Sequence, residues 1–133
     1  MWYYNNSEFI EAPKEYQGFV YLITELDTDM KYIGKKYFWK PKILPITKKR
    51  KRRVRTLVES DWRDYWSSSK EVQSLVEQKG YSNYRRDILQ LCVTKGDCSY
   101  WEAKLQFEHN VLTRADYYNE FIGCKIHSKH LSL

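Results

Sequence analysis

A chain of 133 residues with 42% hydrophobic and 17% aromatic residues holds enough apolar material for one core and is too short for two, which excludes wholesale disorder. No apolar run approaches the roughly 20 residues that a membrane helix needs. Residues Met1 to Asn6 also lack the basic start and apolar stretch of a secretion signal, so a cytoplasmic protein with no membrane partner is expected. The net charge is +6, and every residue from Lys48 to Arg55 except Val54 is basic. Such a run repels itself and attracts a polyanion. Because it is internal and flanked by folded-looking sequence, it points to nucleic-acid contact more than to a solvated tail.

The three cysteines, Cys92, Cys98 and Cys124, are odd in number and lack CxxC spacing. That pattern fits reduced thiols better than a disulfide framework or a zinc knuckle. His109, His127 and His130 add no zinc spacing, and the last two read most simply as solvated imidazoles.

In chain order, residues 1–17 form a polar and aromatic N-terminal extension interrupted by Pro13. Phe19-Val20-Tyr21-Leu22-Ile23 reads as a strand buried on both faces. Asp27, Thr28 and Asp29 supply a turn, and Met30-Lys31-Tyr32-Ile33-Gly34 reads as the returning strand of a hairpin. Pro41 and Pro45 argue against regular structure, so residues 40–58 are expected to be a basic loop insertion. Ser60 or Asp61 caps a short helix over Trp62 to Trp66. A clearer helix spans Lys70 to about Lys79 and stops at Gly80. Residues 86–93 read as a third strand. Asp97 then caps a long helix to about Leu112, with Ala103, Phe107 and Val111 in one stripe and Trp101, Leu105 and Leu112 in another. The expected fold is a single α+β domain, residues 1–133, with a small three-stranded antiparallel sheet packed by helices.

Taken singly, the polar positions say little. Tyr21 and Tyr32 lie on paired strands, where tyrosines usually pack and keep a wet hydroxyl. Glu102 falls outside both apolar stripes and shares a face with Gln106 and His109, as a solvated glutamate near a helix start often does. Asn119 sits in a loop, where its amide usually closes a turn.

Taken together, Phe19-Val20-Tyr21, Tyr32-Ile33-Gly34, a helical glutamate and a later asparagine follow the order of the GIY-YIG nuclease family, which the chain resembles from about Gly18 to Asn119. Ser60 to Ser69 is similar to the version found in small phage-encoded members. The resemblance implies a metal-dependent endonuclease acting on DNA. Tyr21 and Tyr32 would flank the scissile phosphate, Glu102 would be the carboxylate ligand of one Mg²⁺ or Mn²⁺, and Asn119 would hold the site together. Lys35 stands where many relatives have a lysine near the phosphate. Phe19 replaces the usual first glycine, although Gly18 precedes it. The family's arginine has no clear counterpart across the basic insertion: Arg63 is the first choice, with Arg55 and Arg53 open. Lys48, Lys49, Arg50, Arg52, Arg53 and Arg55 are the expected substrate-binding cations.

A lone carboxylate suffices for one magnesium ion, which keeps several waters. Tyrosine, with an ordinary pKa of about 10, is a poor base unless cations lower that value. Lys35, Arg63 and the metal are expected to do so, with Tyr21 serving the attacking water and Tyr32 the phosphate, or the reverse. The competing reading is a non-catalytic basic nucleic-acid-binding module.

Overall fold

The computed structural model describes residues 1–123 and Ser128. Cys124, His127 and His130 lie outside the described residues. The centre is strand β3 (Gly18–Glu25), flanked by antiparallel neighbours on both sides. Its apolar run is buried on both faces, as the unbroken run of large side chains requires. A hairpin joins it to β4 (Lys31–Tyr37), and β7 (Tyr84–Cys92) lies on its other side, with a register shift between Val20 and Tyr21.

The sheet is larger than three antiparallel strands. Residues expected as an irregular extension form β1 (Trp2–Tyr4) and β2 (Ser7–Phe9), giving a five-stranded mixed sheet in the order β2-β1-β7-β3-β4. Strand β1 runs parallel to β7 and antiparallel to β2. The link between β1 and β2 is Asn5-Asn6, both at positive φ (51° and 65°), the backbone that a two-residue hairpin turn demands and that asparagine tolerates. Trp2 is buried and donates from its indole nitrogen to the Trp62 carbonyl at 2.8 Å, which fixes this extension to the domain.

The basic insertion is also a hairpin, not a loop. Strand β5 (Trp39–Leu44) pairs with β6 (Val54–Glu59) as a separate two-stranded sheet. Ile43, Val54, Thr56 and Val58 favour extended backbone, and Pro41 is tolerated because each strand of such a ribbon keeps a free edge.

Two layers cover the main sheet. On one face, Val72 and Val76 of α1 (Lys70–Lys79) join Trp2, Phe19, Tyr21, Phe38 and Trp62 in a largely aromatic core. Trp62 belongs to a single 3₁₀ turn, Trp62–Asp64, shorter than the helix expected to reach Trp66. On the other face, Cys98 of α2 (Lys95–Glu108) packs with Val20, Ile33, Cys92 and Val111. Helix α2 starts two residues before Asp97, because the Thr94 hydroxyl accepts from the Asp97 amide at 3.0 Å and is the true cap. Of the expected apolar stripe, Ala103 and Val111 are buried, whereas Phe107 is 61% exposed and Gln106 is buried in its stead. Cys92 and Cys98 are buried free thiols. No helix among the described residues is long and apolar enough to cross a membrane.

One buried carboxylate ties the layers together at the end of β3. Glu25 accepts from the hydroxyl of Tyr84 at 2.6 Å, from that of Tyr118 at 3.3 Å, from the Lys79 ammonium at 2.9 Å and from the Thr28 hydroxyl. Burial pulls its pKa upward, but the bonds from Thr28, Tyr84 and Lys79 outweigh that and leave it lowered. A depressed folded-state value gives stability that is present above the ordinary glutamate range and lost as pH falls through the folded value. Glu25→Gln is therefore expected to cost roughly 1.5–3 kcal/mol at pH 7, with the difference from the parent shrinking in acid. Urea unfolding at both pH values checks this.

Candidate active site

Strand β4 is an edge of the main sheet, so the outward amides and carbonyls of every second residue need partners other than a strand. They are supplied at three successive outward positions. At Lys31, the backbone amide donates to the Asp116 carbonyl at 2.8 Å and the carbonyl accepts from the Tyr118 amide at 2.8 Å, with a parallel bridge between Lys31 and Tyr117. At Ile33, the Asn119 side chain takes over: Oδ1 accepts from the amide at 3.1 Å and Nδ2 donates to the carbonyl at 2.8 Å. Gln106 Nε2 adds a second bond to that carbonyl at 2.9 Å. At Lys35, the backbone amide faces the Glu102 carboxylate.

The geometry of α2 makes this succession possible. Gln106 and Glu102 are one helical turn apart, about 6 Å along the axis. Ile33 and Lys35 are two strand residues apart, about 6.7 Å. The helix thus addresses consecutive outward positions of β4 with consecutive turns, which is why position 102 lands beside Lys35.

The result is a cleft of about 580 Å³ along the β4 edge. Tyr32, Lys35, Glu102, Gln106 and Asn119 line it from the sheet and α2, and Ser68, Ser69 and Lys70 line it from the start of α1. Tyr32 and Ser68 face each other, their hydroxyl oxygens 3.5 Å apart. Ser68 went unnoticed in the sequence, although the Ser67-Ser68-Ser69 run before a helix was visible. Ser69 is the N-cap of α1, and its hydroxyl accepts from the Val72 amide at 3.3 Å. Lys35 donates from Nζ to the Ser99 hydroxyl at 2.9 Å.

Tyr21 lies beneath this cleft, not in it. Its ring is fully buried, with centroids 6.3 Å from Tyr32 and 5.9 Å from Tyr65. Among the described residues the hydroxyl makes no hydrogen bond of ordinary geometry, and the Tyr65 phenol is near enough to affect its ionisation. Burial pushes the Tyr21 pKa well above the usual tyrosine value, and the phenols of Tyr65 and Tyr32 add to this. Burial raises Tyr32 and Tyr65 as well. Lys35 and Arg63 do not lower these values as expected: desolvation dominates and holds Tyr21 and Tyr32 above the ordinary tyrosine value. Burial also raises Glu102, against the opposing pull of the Lys35 charge and backbone amide.

Arg63 is not brought to the cleft. It pairs with Glu59, donates to the Ile10 carbonyl at 3.0 Å and stacks 4.6 Å from the Trp62 ring centre, beside the N-terminal strands. Lys48, Lys49, Arg50, Arg52 and Arg53 lie between β5 and β6 and Arg55 lies on β6, so none of the six lines the cleft either. A cation that does approach the tyrosines is Lys36, 4.2 Å from the Tyr65 ring centre and paired with Asp61 at 2.6 Å. Among the described residues no group of three or more His, Cys, Asp or Glu side chains gathers as a metal site.

A hairpin carrying two tyrosines over a glycine, backed by a helical glutamate and a latching asparagine, is the arrangement of a GIY-YIG nuclease domain. The family model described as "Putative endonuclease segE, GIY-YIG domain" matches residues 2–122, and the chain belongs to that family. No curated protein and no solved structure matches it. Family membership gives the protein a nuclease-type function.

Gly34 explains part of the second motif. It stands opposite Tyr21 in the β3–β4 register, and a Cβ there would meet Tyr21 Cζ at 2.7 Å and press still closer on the hydroxyl. Gly34→Ala is expected to destabilise the fold by roughly 1–3 kcal/mol, as overpacking does. Adding Tyr21→Phe removes the nearest atom and should recover part of that loss; a urea double-mutant cycle reads the coupling.

Proposed function

We propose that the cleft along β4 hydrolyses phosphodiester bonds in DNA with the help of one divalent cation, and that residues 1–133 form a single nuclease domain extended by the β5–β6 hairpin. The observation that carries this reading is the convergence of Tyr32, Lys35 and Glu102 on one open cleft, with Asn119 fixing the strand between them.

Glu102 suits a cation. It is a half-buried carboxylate raised by desolvation, and it makes no ion pair among the described residues. Magnesium needs only one or two protein carboxylates when substrate phosphate and water complete its shell. That no acidic cluster gathers among the described residues is therefore compatible with a single ion held by Glu102. When bound, the cation supplies Lewis-acid stabilisation of charge on the phosphate.

The remaining roles follow from protonation states. Tyr32, at the cleft wall, donates a hydrogen bond to a non-bridging phosphate oxygen. Lys35 adds positive charge beside it. Tyr21, neutral and buried, orients Tyr32 and Tyr65 through ring contact and does not act as a base. Asn119 and Gln106 hold the Ile33 peptide, and with it the Tyr32 side chain, in place.

Glu102→Gln tests the centre of this reading. Magnesium-dependent nicking of plasmid DNA is expected to fall by about 10²–10³-fold or more, and chelation with EDTA should abolish nicking by the parent. Stability should move the other way. A carboxyl with a raised folded-state pKa contributes stability that is lost as pH rises through that value, so the amide should melt no lower than the parent at pH 7. Tight DNA binding by the parent with no cutting in magnesium or manganese would instead favour a non-catalytic binding module.

Tyr32→Phe removes one hydrogen bond to a charged oxygen and is expected to slow cleavage by roughly 10–100-fold, with DNA affinity retained. Single-turnover cleavage and a gel-shift titration separate the two quantities.

A further inference from the structure

We propose that the β5–β6 hairpin is a ribbon that enters the major groove of duplex DNA and supplies most of the protein's affinity for it. The inference rests on the reading of the cleft as a DNA-cleaving site and names the form of DNA and the surface that grips it.

Charge is distributed unevenly. Residues 40–58 hold nine of the 23 lysines and arginines and no acid, which leaves the rest of the chain with 14 basic against 17 acidic residues. The body carrying the cleft is thus mildly acidic, and the whole positive excess sits on the ribbon. None of these nine cations has an ion pair among the described residues. Eight of them are exposed and present their charge to a partner, and Arg50 is half-buried.

Shape narrows the partner. The base is anchored: Gln17 Nε2 donates to the Trp39 carbonyl at 3.0 Å, and the Ser60 hydroxyl donates to the Tyr37 carbonyl at 2.6 Å. Beyond the base the strands bury neither face: Ile43 and Leu57 on one are 63% and 57% exposed, and Val54 on the other is 40% exposed. Six paired residues extend about 20 Å. A two-stranded ribbon fits a major groove about 12 Å wide and not a minor groove about 6 Å wide. Single strands are gripped by stacking on aromatics, and residues 40–58 contain none.

The ribbon is also continuous with the cleft. A second hollow of about 240 Å³ at the ribbon's base is lined by Lys35, Lys36, Lys40 and Lys95, and Lys35 lines the cleft too. A phosphate backbone leaving the cleft meets these lysines before it reaches the ribbon.

The experiment uses full-length protein carrying Glu102→Gln, so that substrate survives. Its binding to a mixed-sequence duplex and to one of the separated strands is titrated at several salt concentrations. A second protein adds Lys48→Ser, Lys49→Ser, Arg52→Ser and Arg53→Ser, with its fold checked by circular dichroism. The four substitutions should weaken duplex binding by roughly 10²–10³-fold near physiological salt and flatten the log–log salt slope by about three to four. Dimethyl sulfate probing of the complex with the unsubstituted ribbon should show protection of guanine N7, in the major groove, and not of adenine N3, in the minor groove. Unchanged affinity and slope, protection confined to adenine N3, or equal affinity for the single strand would each overturn the ribbon proposal. Cutting by the unmutated protein in magnesium is measured separately: cleavage with a failed ribbon test leaves the nuclease reading standing, and groove protection without cleavage leaves the ribbon standing.

Discussion

The unpaired edge of β4 is the constraint on which the site depends. An edge strand must satisfy alternate backbone groups, and here a returning segment, an asparagine amide and a helix share that work over Lys31, Ile33 and Lys35. Each solution also delivers a functional group. The returning segment brings Tyr118 to Glu25, Asn119 sets the peptide next to Tyr32, and the helix turn that satisfies Ile33 carries Glu102 to Lys35. Satisfying the edge and building the cleft are one structural task.

The opposite face of the same hairpin is governed by packing. Tyr21 meets Trp2, Phe19 and Tyr65 edge to face and Tyr32 at a tilt, and the missing side chain at Gly34 leaves room for its ring against β4. An aromatic layer of this kind is stiff and dry. It explains why burial controls the ionisation of all three phenols and why cations nearby do not reverse it. The chemistry assigned to the tyrosines follows from the protonation state that this layer imposes.

Legibility in the sequence tracked the range of the interaction. The β3–β4 hairpin, α1 and the third long strand were readable because local periodicity and turn residues specify them. Strands β1 and β2 were missed although Asn5-Asn6 between aromatic residues is a turn signal, because Pro13 and the polar surroundings suggested an extension without structure. The prolines and charge of the basic insertion argue locally for a loop and mask its four β-prone residues. Glu102 was placed outside the apolar stripes correctly as a pattern, but nothing local showed that Gln106 would be buried against β4. Arg63 illustrates the limit best: its position in the chain suited the cleft, whereas its partner Glu59 lies on the ribbon and holds it on the far side of Trp62.

The parallel seating of residues 116–119 on β4 also bears on how the molecule comes into being. The hairpin leaves the ribosome roughly eighty residues before the segment that closes its edge. Through that interval the outward peptides of β4 are served by water alone, and the cleft lacks one wall. Assembly of the site therefore waits on that later segment and is not a property of the early hairpin, so a nascent chain carries both tyrosines well before it carries a finished cleft.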